Sequence, residues 1–298
     1  MKFRTELTVT PARILLDPKQ PVVLIGSCFT DNIGNRMRFC RWSAYPNITG
    51  TLFNPASIAR ILRIAAGAEP EKEAVTDSTV NRGEVWISWL ADSGCDSFSR
   101  EETERRLLER LQTLRQHLSE ASTLIVTFGT AWIYELNTIP GYIVANCHKF
   151  PSTLFSRRRL TVSEIADEWK SLIELLSVKY PRLRIILTVS PVRHLKDGFE
   201  GNSRSKAILQ LACEEICMAN NNTEYFPAFE IMNDDLRDYR FYADDMLHPS
   251  EKGVEYIWEK FQERYLSADS RNILREGEKV TRRLNHRPIM HDESKQAR

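Results

Sequence analysis

Long apolar runs are missing from this chain of 298 residues. No stretch approaches the roughly 20 consecutive apolar residues that cross a bilayer, and no apolar segment of a secretion signal follows the first residues. Charge of one sign is missing as well, since 41 Lys and Arg stand against 40 Asp and Glu. A formal charge of +1 provides no global field for nucleic acid or anionic membranes. We therefore expect a soluble, cytoplasmic protein with no nucleic-acid partner and no membrane span.

Cysteine is scarce too. Six cysteines are too few for a disulfide-dense scaffold in a chain of this length, and several of them lie in or beside apolar segments. Cys213 and Cys217 are four apart on a predicted helix, but neither a histidine nor a second cysteine pair accompanies them at zinc-like spacing. We expect reduced, buried thiols, no metal site and no cofactor.

What the chain does contain is an alternation of strands and helices. The apolar runs 22–25, 124–128 and 185–189 are typical of buried parallel strands. Leucines with helical spacing over 107–118 and an apolar helix face over 165–176 lie between these runs. Strands that alternate with helices predict right-handed βαβ crossovers. The fold class is therefore α/β, a three-layer α/β/α sandwich with a mainly parallel sheet.

Two segments depart from this alternation. Residues 68–100 are predicted to be irregular, apart from a strand or hairpin around 85–89, and to form an insertion beside the sheet. Residues 270–298 are charged and poor in apolar side chains, which predicts a loosely packed or disordered extension. We therefore expect one domain over residues 1–269, followed by this extension.

Two motifs carry the chemistry. Ser27 follows the first apolar run and precedes a helix-like stretch, so it lies at the carboxyl end of a strand, where open parallel sheets bind ligands. Asp245 and His248 share a loop before the last predicted helix. A serine hydroxyl becomes nucleophilic when an imidazole, oriented by a carboxylate, takes its proton. The pattern predicts a serine hydrolase with Ser27 as nucleophile, His248 as base and Asp245 as its orienter.

Gly26-Ser27-Cys28-Phe29 and Asp245-x-x-His248-Pro249 resemble the GSCFA family, within the wider SGNH/GDSL hydrolase-like superfamily. Further matching blocks are residues 52–55, 127–132, 144–149, 190–197 and 239–242. The resemblance covers about residues 1–270 and implies a flavodoxin-like fold with an acyl-enzyme on Ser27. The superfamily's usual substrates are esters, often acetyl or longer acyl groups on sugars or lipids. The implied partner is a small-molecule or carbohydrate ester.

The resemblance also implies an oxyanion hole made of the nucleophile's own N–H, a glycine after the second strand and an Asn in a Gly-x-Asn-Asp block. Gly50 fills the second role, but the third block is Gly129-Thr130-Ala131-Trp132, which lacks the Asn. Loss of one donor typically costs roughly 2.7–4 kcal/mol of transition-state stabilisation, so another donor must replace it or activity is low. The candidate oxyanion and substrate-binding residues are Gly50, Asn54, Gly129, Thr130, Asn146, His148, Arg193 and His194.

Several of these residues have simpler interpretations. A serine at a strand-to-helix turn also serves as a cap, and a histidine also hydrogen-bonds a neighbouring loop. Arg193 either clamps an anionic group on the substrate or pairs with an acidic side chain. The aromatic residues Trp86, Trp89 and Trp132 form either a sugar-stacking wall or part of the core.

Two rival hypotheses stay open beside the serine esterase or acyltransferase. The missing Asn favours a catalytically silent module that binds a glycan or an acylated metabolite. Alternatively, Cys28 is the nucleophile and His248 its partner, because a thiolate needs less activation than a hydroxyl. The reactivity of Ser27 separates these hypotheses.

Overall fold

The computed structural model describes residues 4–13 and 15–285. The strands in this part of the chain are β1 Val22–Gly26, β2 Ala44–Pro46, β3 Thr79–Arg82, β4 Val85–Ser88, β5 Thr123–Phe128, β6 Trp132–Leu136, β7 Ile143–Val144, β8 Phe155–Arg159, β9 Arg184–Val189 and β10 Thr223–Phe226. The helices are α1 Phe29–Phe39, α2 Pro55–Ala66, α3 Glu71–Ser78, α4 Arg100–Glu120, α5 Val162–Lys179, α6 Gly198–Ala219, the single turn α7 Ala228–Glu230, α8 Glu251–Tyr265 and α9 Ala268–Asn285. None of these helices combines the length and the hydropathy needed to cross a membrane.

The central sheet has five parallel strands in the order β2-β1-β5-β9-β10. Helices cover both of its faces, so the predicted α/β/α sandwich with a parallel sheet is confirmed. The order reverses between β1 and β5, as in flavodoxin-like sheets, where ligands bind at the carboxyl ends of the strands on either side of the reversal. The turns that follow β1 and β5 therefore occupy the position where this architecture places a site.

Strand β1 shows how the sheet supports both cores. Val23 and Ile25 pack into a cluster that includes apolar residues of α2, α4, α5 and α6. Val22 and Leu24 face the opposite side, where α1 and α8 pack. Successive side chains of a strand point to opposite faces, so a strand covered on both faces is apolar throughout. This is why the run was recognisable from sequence.

Side-chain caps fix where several helices begin. Asn54 Oδ1 accepts the N–H of Ser57 at 2.8 Å at the start of α2, and Thr161 and Glu164 form a reciprocal capping box at the start of α5. Ser250 Oγ accepts the N–H of Gly253 at 3.3 Å and begins α8 directly after the loop that carries His248. These caps pair backbone N–H groups of the first turns that have no intrahelical partner.

The segment 68–100 is more regular than its sequence predicts. The expected hairpin is present as β3 and β4, but helix α3 precedes it and was not predicted. Only Ala74, Val75 and Ser78 of α3 are buried, so its amphipathic pattern is too weak to recognise in the sequence.

A small antiparallel sheet in the order β7-β6-β8 is inserted between β5 and α5. Sequence reasoning missed this sheet because its strands are short and because β8 alternates arginines on both faces. Leu136, Val144 and Phe155 from this sheet share an apolar cluster with Ile87 of the hairpin. The two insertions therefore pack against each other beside the carboxyl edge of the main sheet.

The chain after residue 269 was expected to be a loosely packed or disordered extension. Residues 270–285 instead form most of helix α9. Helix α9 docks on α1 through Leu274, which is only 2% exposed. A Cβ added at Gly277 would lie 2.2 Å from the carbonyl oxygen of Cys40, so the two backbones approach closely. Glu278 also lies 3.9 Å from Arg36 of α1, and the guanidinium of Arg282 lies 5.6 Å from the ring centre of Phe39. A segment rich in charged residues therefore docks through contacts that its composition does not reveal. Residues 286–298 of the expected extension lie outside the described residues.

Candidate active site

The turn after β1 places its residues by backbone contacts. Gly26 has φ of +140°, and a Cβ there would lie 2.2 Å from the carbonyl oxygen of Thr127 on β5, so only glycine fits. The N–H of Ser27 donates to the same Thr127 carbonyl at 3.1 Å, and the Ser27 carbonyl accepts the N–H of Thr30 at 2.9 Å. This turn brings Cys28 to the N-cap position of α1.

Asp245 and His248 form the expected pair. The Oδ2 of Asp245 accepts a hydrogen bond from Nδ1 of His248 at 2.6 Å, and its Oδ1 accepts the backbone N–H groups of His248 at 3.0 Å and Leu247 at 2.9 Å. These hydrogen bonds, that of the His248 N–H foremost, lower the pKa of Asp245 to about 2. The carboxylate is therefore ionised at neutral pH and holds the imidazole with its proton on Nδ1.

The other nitrogen of this imidazole faces Cys28. His248 Nε2 lies 3.5 Å from the Sγ of Cys28, which is within hydrogen-bond distance for sulfur. Because Nδ1 carries the ring proton, Nε2 is the acceptor and the thiol is the donor. The structure therefore brings together Cys28, His248 and Asp245 in a connected row.

The side chain of Ser27 is not part of this row of hydrogen bonds. It is 1% exposed, and among the described residues its buried Oγ has no hydrogen-bond partner. Its Cβ lies 3.3 Å from the position of a Cβ added at Gly129, so the serine side chain packs against the turn after β5. The sequence placed the nucleophile at Ser27, whereas the structure places its neighbour Cys28 against the imidazole, since Ser27 is turned inward and Cys28 is partly exposed.

The surroundings of the thiol keep it protonated. Burial raises the pKa of Cys28, and the negative charge of Asp31 adds to that rise. The backbone N–H groups of Cys28 and Phe29 act in the opposite direction, since the first turn of a helix has N–H groups without intrahelical partners. A protonated thiol of this kind needs a base to become nucleophilic.

The turn after β5 is closed by hydrogen bonds. The N–H groups of Gly129 and Thr130 both donate to the carbonyl of Phe53, at 2.8 and 3.0 Å. The N–H of Ala131, at the position of the missing Asn, donates to Ser205 Oγ at 2.8 Å. These three backbone donors are therefore occupied within the protein, and the turn forms a wall of the site.

Gly50 does not present the donor that the resemblance implies. Its N–H donates to the carbonyl of Asn47 at 2.8 Å. Its φ is +91°, and a Cβ there would lie 2.4 Å from the carboxyl group of Asp92. Gly50 is a tight-turn residue whose N–H is already bonded.

Four candidate residues line one cavity of about 340 Å³ beside this site. These residues are Asn54, Thr130, Asn146 and His194. Asn54 also caps α2, and Asn146 Oδ1 accepts the N–H of His148 at 2.8 Å. The sequence therefore identified part of a pocket wall, although it gave no signal for the small sheet that completes that wall.

His148 is not part of that wall. It is 5% exposed, and its Nε2 donates to the carbonyl groups of Ser88 at 2.9 Å and Ala91 at 3.1 Å. Both partners are acceptors, so Nε2 must carry the hydrogen. His148 holds the hairpin insertion in place, which is the simpler of its two interpretations.

The guanidinium of Arg193 packs against two tyrosine rings. Its guanidinium lies 4.8 Å from the ring centre of Tyr242 and 5.9 Å from that of Tyr239. The backbone N–H of Arg193 donates to the carbonyl of Leu247 at 3.3 Å. These contacts connect the loop after β9 to the loop that carries His248. Arg193 therefore supports the position of the imidazole.

His194 is a neutral histidine between the site and the cavity. Burial, together with the positive charge of Lys206, lowers its pKa to about 4. The backbone N–H of His194 donates to Asn202 Oδ1 at 3.1 Å, and the buried Nε2 of its ring has no partner in the part of the chain that the structure describes. A neutral imidazole with an unpaired nitrogen can bind a ligand in the adjacent cavity.

Sequence reasoning missed Lys206. It is 1% exposed, and its Nζ donates to the carbonyl of Gly129 at 2.6 Å and of Ser190 at 2.7 Å, joining the ends of β5 and β9. Burial lowers its pKa to about 7. The signal was available, because Lys206 falls in phase with the buried stripe of α6 that continues through Leu209 and Cys213.

The three tryptophans do not form one wall. Trp89 is 5% exposed and packs on Phe155 in the core of the insertions. Trp86 lies in the hairpin beneath Arg100, at 5.6 Å. Trp132 alone lines the cavity, and the guanidinium of Arg157 covers its ring at 4.2 Å.

Several solved structures have a similar chain trace. A Streptococcus pneumonia protein described as a platelet activating factor shares 16% identity over 82% of this chain and 83% of its own, with a TM-score of 0.40. The family 3 carbohydrate esterase of Clostridium thermocellum shares 10% identity over 87% of this chain and 98% of its own, with a TM-score of 0.38. A family 3 carbohydrate esterase of Talaromyces cellulolyticus shares 9% identity over 86% of this chain and 99% of its own, with a TM-score of 0.35. No curated protein matches the chain.

A family model gives the assignment. The model of the GSCFA family matches residues 21–261, which include the turn after β1, the loop before α8 and every strand of the central sheet. The match spans most of the chain and contains Cys28, Asp245 and His248. The chain belongs to the GSCFA family.

Proposed function

We propose that this protein is an esterase or acyltransferase that uses Cys28 as its nucleophile, His248 as its general base and Asp245 as the residue that orients the base. One observation carries the proposal: His248 lies between the carboxylate of Asp245, at 2.6 Å, and the Sγ of Cys28, at 3.5 Å. The substrate class is an ester of a small molecule or a carbohydrate. This assignment replaces Ser27, which the sequence motif favoured, with its neighbour.

The first half of the reaction forms a thioester. Sγ of Cys28 attacks the carbonyl carbon of the ester while its proton moves to Nε2 of His248. The tetrahedral oxyanion then collapses, the bond to the alcohol oxygen breaks, and Nε2 returns the proton to the leaving oxygen. Asp245 stays ionised throughout and stabilises the imidazolium, consistent with its pKa of about 2.

The second half regenerates the thiol. A water molecule or an acceptor alcohol attacks the thioester carbonyl and gives its proton to Nε2 of His248. The bond from the carbonyl carbon to Sγ breaks, and the thiolate of Cys28 takes up that proton. Water yields the free acid and an alcohol yields a new ester, so hydrolysis and transfer follow from one intermediate.

The proposed oxyanion donors are the N–H groups of Cys28 and Phe29. Both act on the thiol, one from the N-cap position and the other from the first residue of α1, where backbone donors and the helix dipole favour negative charge. Each aligned donor is typically worth roughly 2.7–4 kcal/mol in a transition state. This pair takes the place of the donors implied at Gly50 and at the missing Asn.

One observation favours the alternative of a silent binding module. The N–H of Gly50 is bonded to Asn47, and Ala131 stands at the Asn position with its N–H bonded to Ser205. Two of the three donors that the resemblance implies are therefore not available. Under this alternative the cavity recognises an ester or glycan without turnover.

Alkylation kinetics separate the two functions. Iodoacetamide modification of Cys28 and Cys147 is followed by peptide mass spectrometry, since both thiols are partly buried and burial raises the pKa of each. We expect Cys28 to react faster than Cys147, and we expect the difference to disappear in His248→Gln. Equal rates in the wild type, or an unchanged Cys28 rate in His248→Gln, would favour the binding module.

A further inference from the structure

The cavity of about 340 Å³ is large enough for part of a small ligand. It begins at Phe53 and His194 and ends at the small sheet, where Trp132, Tyr134 and Arg157 form its far wall. Phe53 accepts hydrogen bonds from the turn after β5, and that turn contacts Ser27, the neighbour of Cys28. A substrate whose carbonyl lies at Cys28 therefore has this cavity beside it.

The charge of the cavity wall is positive. Arg157 and Lys196 line it, together with one carboxylate, Asp197. Asp197 forms an ion pair with Arg157, whereas Lys196 donates to the hydroxyl of Tyr134 and has no carboxylate within 4.0 Å among the described residues. His194 adds no charge at neutral pH because its pKa is about 4. One uncompensated positive charge remains.

The wall also holds polar nitrogens without partners. In residues 4–13 and 15–285, Trp132 Nε1, Arg157 Nε and His194 Nε2 are buried and make no hydrogen bond. Buried donors without acceptors are unusual in folded proteins, and they are commonly explained by a ligand or a bound water. Trp132 Nε1 and Arg157 Nε are donors by their chemistry, and two buried donors without acceptors in the wall of one cavity indicate a ligand that supplies acceptor oxygens.

We propose that this cavity binds a carboxylate carried by the ester substrate, with Lys196 and Arg157 as the recognising side chains. A single net positive charge matches a monoanion, and a planar carboxylate offers acceptors to both a guanidinium and an indole N–H. The preferred substrates are therefore esters with a carboxylate a few bonds from the reacting carbonyl. This inference rests on the proposed function for the position of the reacting group.

Matched reagents test the charge preference at Cys28. N-(iodoacetyl)glycine and N-(iodoacetyl)glycinamide have the same length and differ only in a carboxylate and a carboxamide. The ratio of their alkylation rates at Cys28, relative to the same ratio for 2-mercaptoethanol, is measured by peptide mapping. We expect the carboxylate reagent to be preferred and Lys196→Gln to lower the ratio about fivefold, as for loss of one solvent-exposed charge contact.

Arg158→Gln is the matched control. Arg158 carries the same charge on the same strand as Arg157, but it points to the opposite face and pairs with Glu135 and Glu164. We expect this variant to keep the wild-type ratio, and Arg157→Gln to lower it as Lys196→Gln does. A wild-type ratio near one, or equal ratios in Lys196→Gln and the wild type, would overturn the proposed carboxylate site.

A second readout does not need a reactive thiol. The indole N–H resonance of Trp132, assigned with Trp132→Phe, is followed by NMR as N-acetylglycine or N-acetylglycinamide is added. We expect a saturable shift with the carboxylate alone, and a weaker one in Lys196→Gln. If Cys28 is unreactive but this shift is present, the nucleophile is wrong and the anion site stands; if Cys28 reacts and no shift occurs, the anion site is wrong.

Discussion

The turns that follow β1 and β5 lie side by side at the carboxyl edge of the sheet, yet they differ in what they leave open. After β1, the thiol of Cys28 is partly exposed and faces His248. After β5, the backbone groups of Gly129 and Thr130 are bonded to Phe53 and Lys206. One turn presents reactive groups, and its neighbour is closed within the protein.

The turn after β1 therefore carries the reacting side chain, and the turn after β5 stabilises the edge of the sheet. Replacement of Cys28 in the turn after β1 should abolish the reaction with little effect on the fold, because its thiol is partly exposed and its hydrogen bond is to His248 of the site. Changes at the turn after β5 should lower the stability of the edge on which the site is built.

The largest expected effect comes from Cys28→Ala. We expect kcat/KM for 4-nitrophenyl acetate to fall by a factor on the order of 10⁴ or more, as for other nucleophile deletions. Ser27→Ala is the matched control, and we expect it to stay within about threefold of the wild type because its Oγ is buried and makes no hydrogen bond to His248 among the described residues. The opposite pattern would return the nucleophile to Ser27.

Removal of the base should have the next largest effect. We expect His248→Gln to lower kcat/KM by roughly 10²–10⁴, the usual contribution of a positioned base, with unchanged urea unfolding. His117→Gln removes a histidine that stacks on Tyr45 instead, and it should leave the rate unchanged. A full rate in His248→Gln would show that its contact with Cys28 has no role in turnover.

Lys206→Met tests whether the turn after β5 stabilises the fold. The variant leaves the carbonyls of Gly129 and Ser190 without their donor, so we expect the free energy of unfolding to fall by about 2–3 kcal/mol. Lys170→Met removes a partly exposed lysine whose only ion pair, to Glu215, spans 3.8 Å among the described residues, and it should change stability by about 0.5 kcal/mol at most. Equal stabilities in urea unfolding would contradict the supporting role.

The pH dependence of stability tests the burial of His194. Its pKa is 6.5 when unfolded and about 4 in the fold, so the unfolded state binds more protons between these values. Stability is therefore full above pH 6.5 and is lost as the pH falls towards 4. We expect the wild type to lose about 2–3 kcal/mol more than His194→Gln between pH 7 and 4.5. Parallel losses in urea titrations would show that His194 is not buried as a neutral group.

The sequence predicts the parts of this molecule that depend on local patterns. Buried strands such as β1 and capped helices such as α2 follow from apolar runs and from residues such as Asn54, and the pairing of Asp245 with His248 follows from their spacing. The orientation of Ser27 and Cys28 does not follow, because neighbouring residues in a strand-to-helix turn diverge by an amount that only the backbone contacts to β5 determine.

The cavity beyond the site was also outside the reach of sequence. Its far wall includes residues of β6 and β8, which are short strands with little periodicity, and its inner edge includes His194 from the loop after β9. The sequence blocks identified Asn146, His148, Arg193 and His194 alike as candidates. Tertiary contacts decide that Asn146 and His194 line the cavity and that His148 and Arg193 do not. Local signals therefore located the edge of the sheet and not the arrangement of side chains upon it.

Acyl-enzyme trapping tests the central claim most directly. The protein is mixed with 4-nitrophenyl acetate, quenched in acid within the first turnover and mapped by peptide mass spectrometry, with Cys28→Ala and Ser27→Ala measured in parallel. We expect an acetyl group on Cys28 that neutral hydroxylamine removes, present in Ser27→Ala and absent in Cys28→Ala. An acetyl group on Ser27, retained in Cys28→Ala, would contradict it.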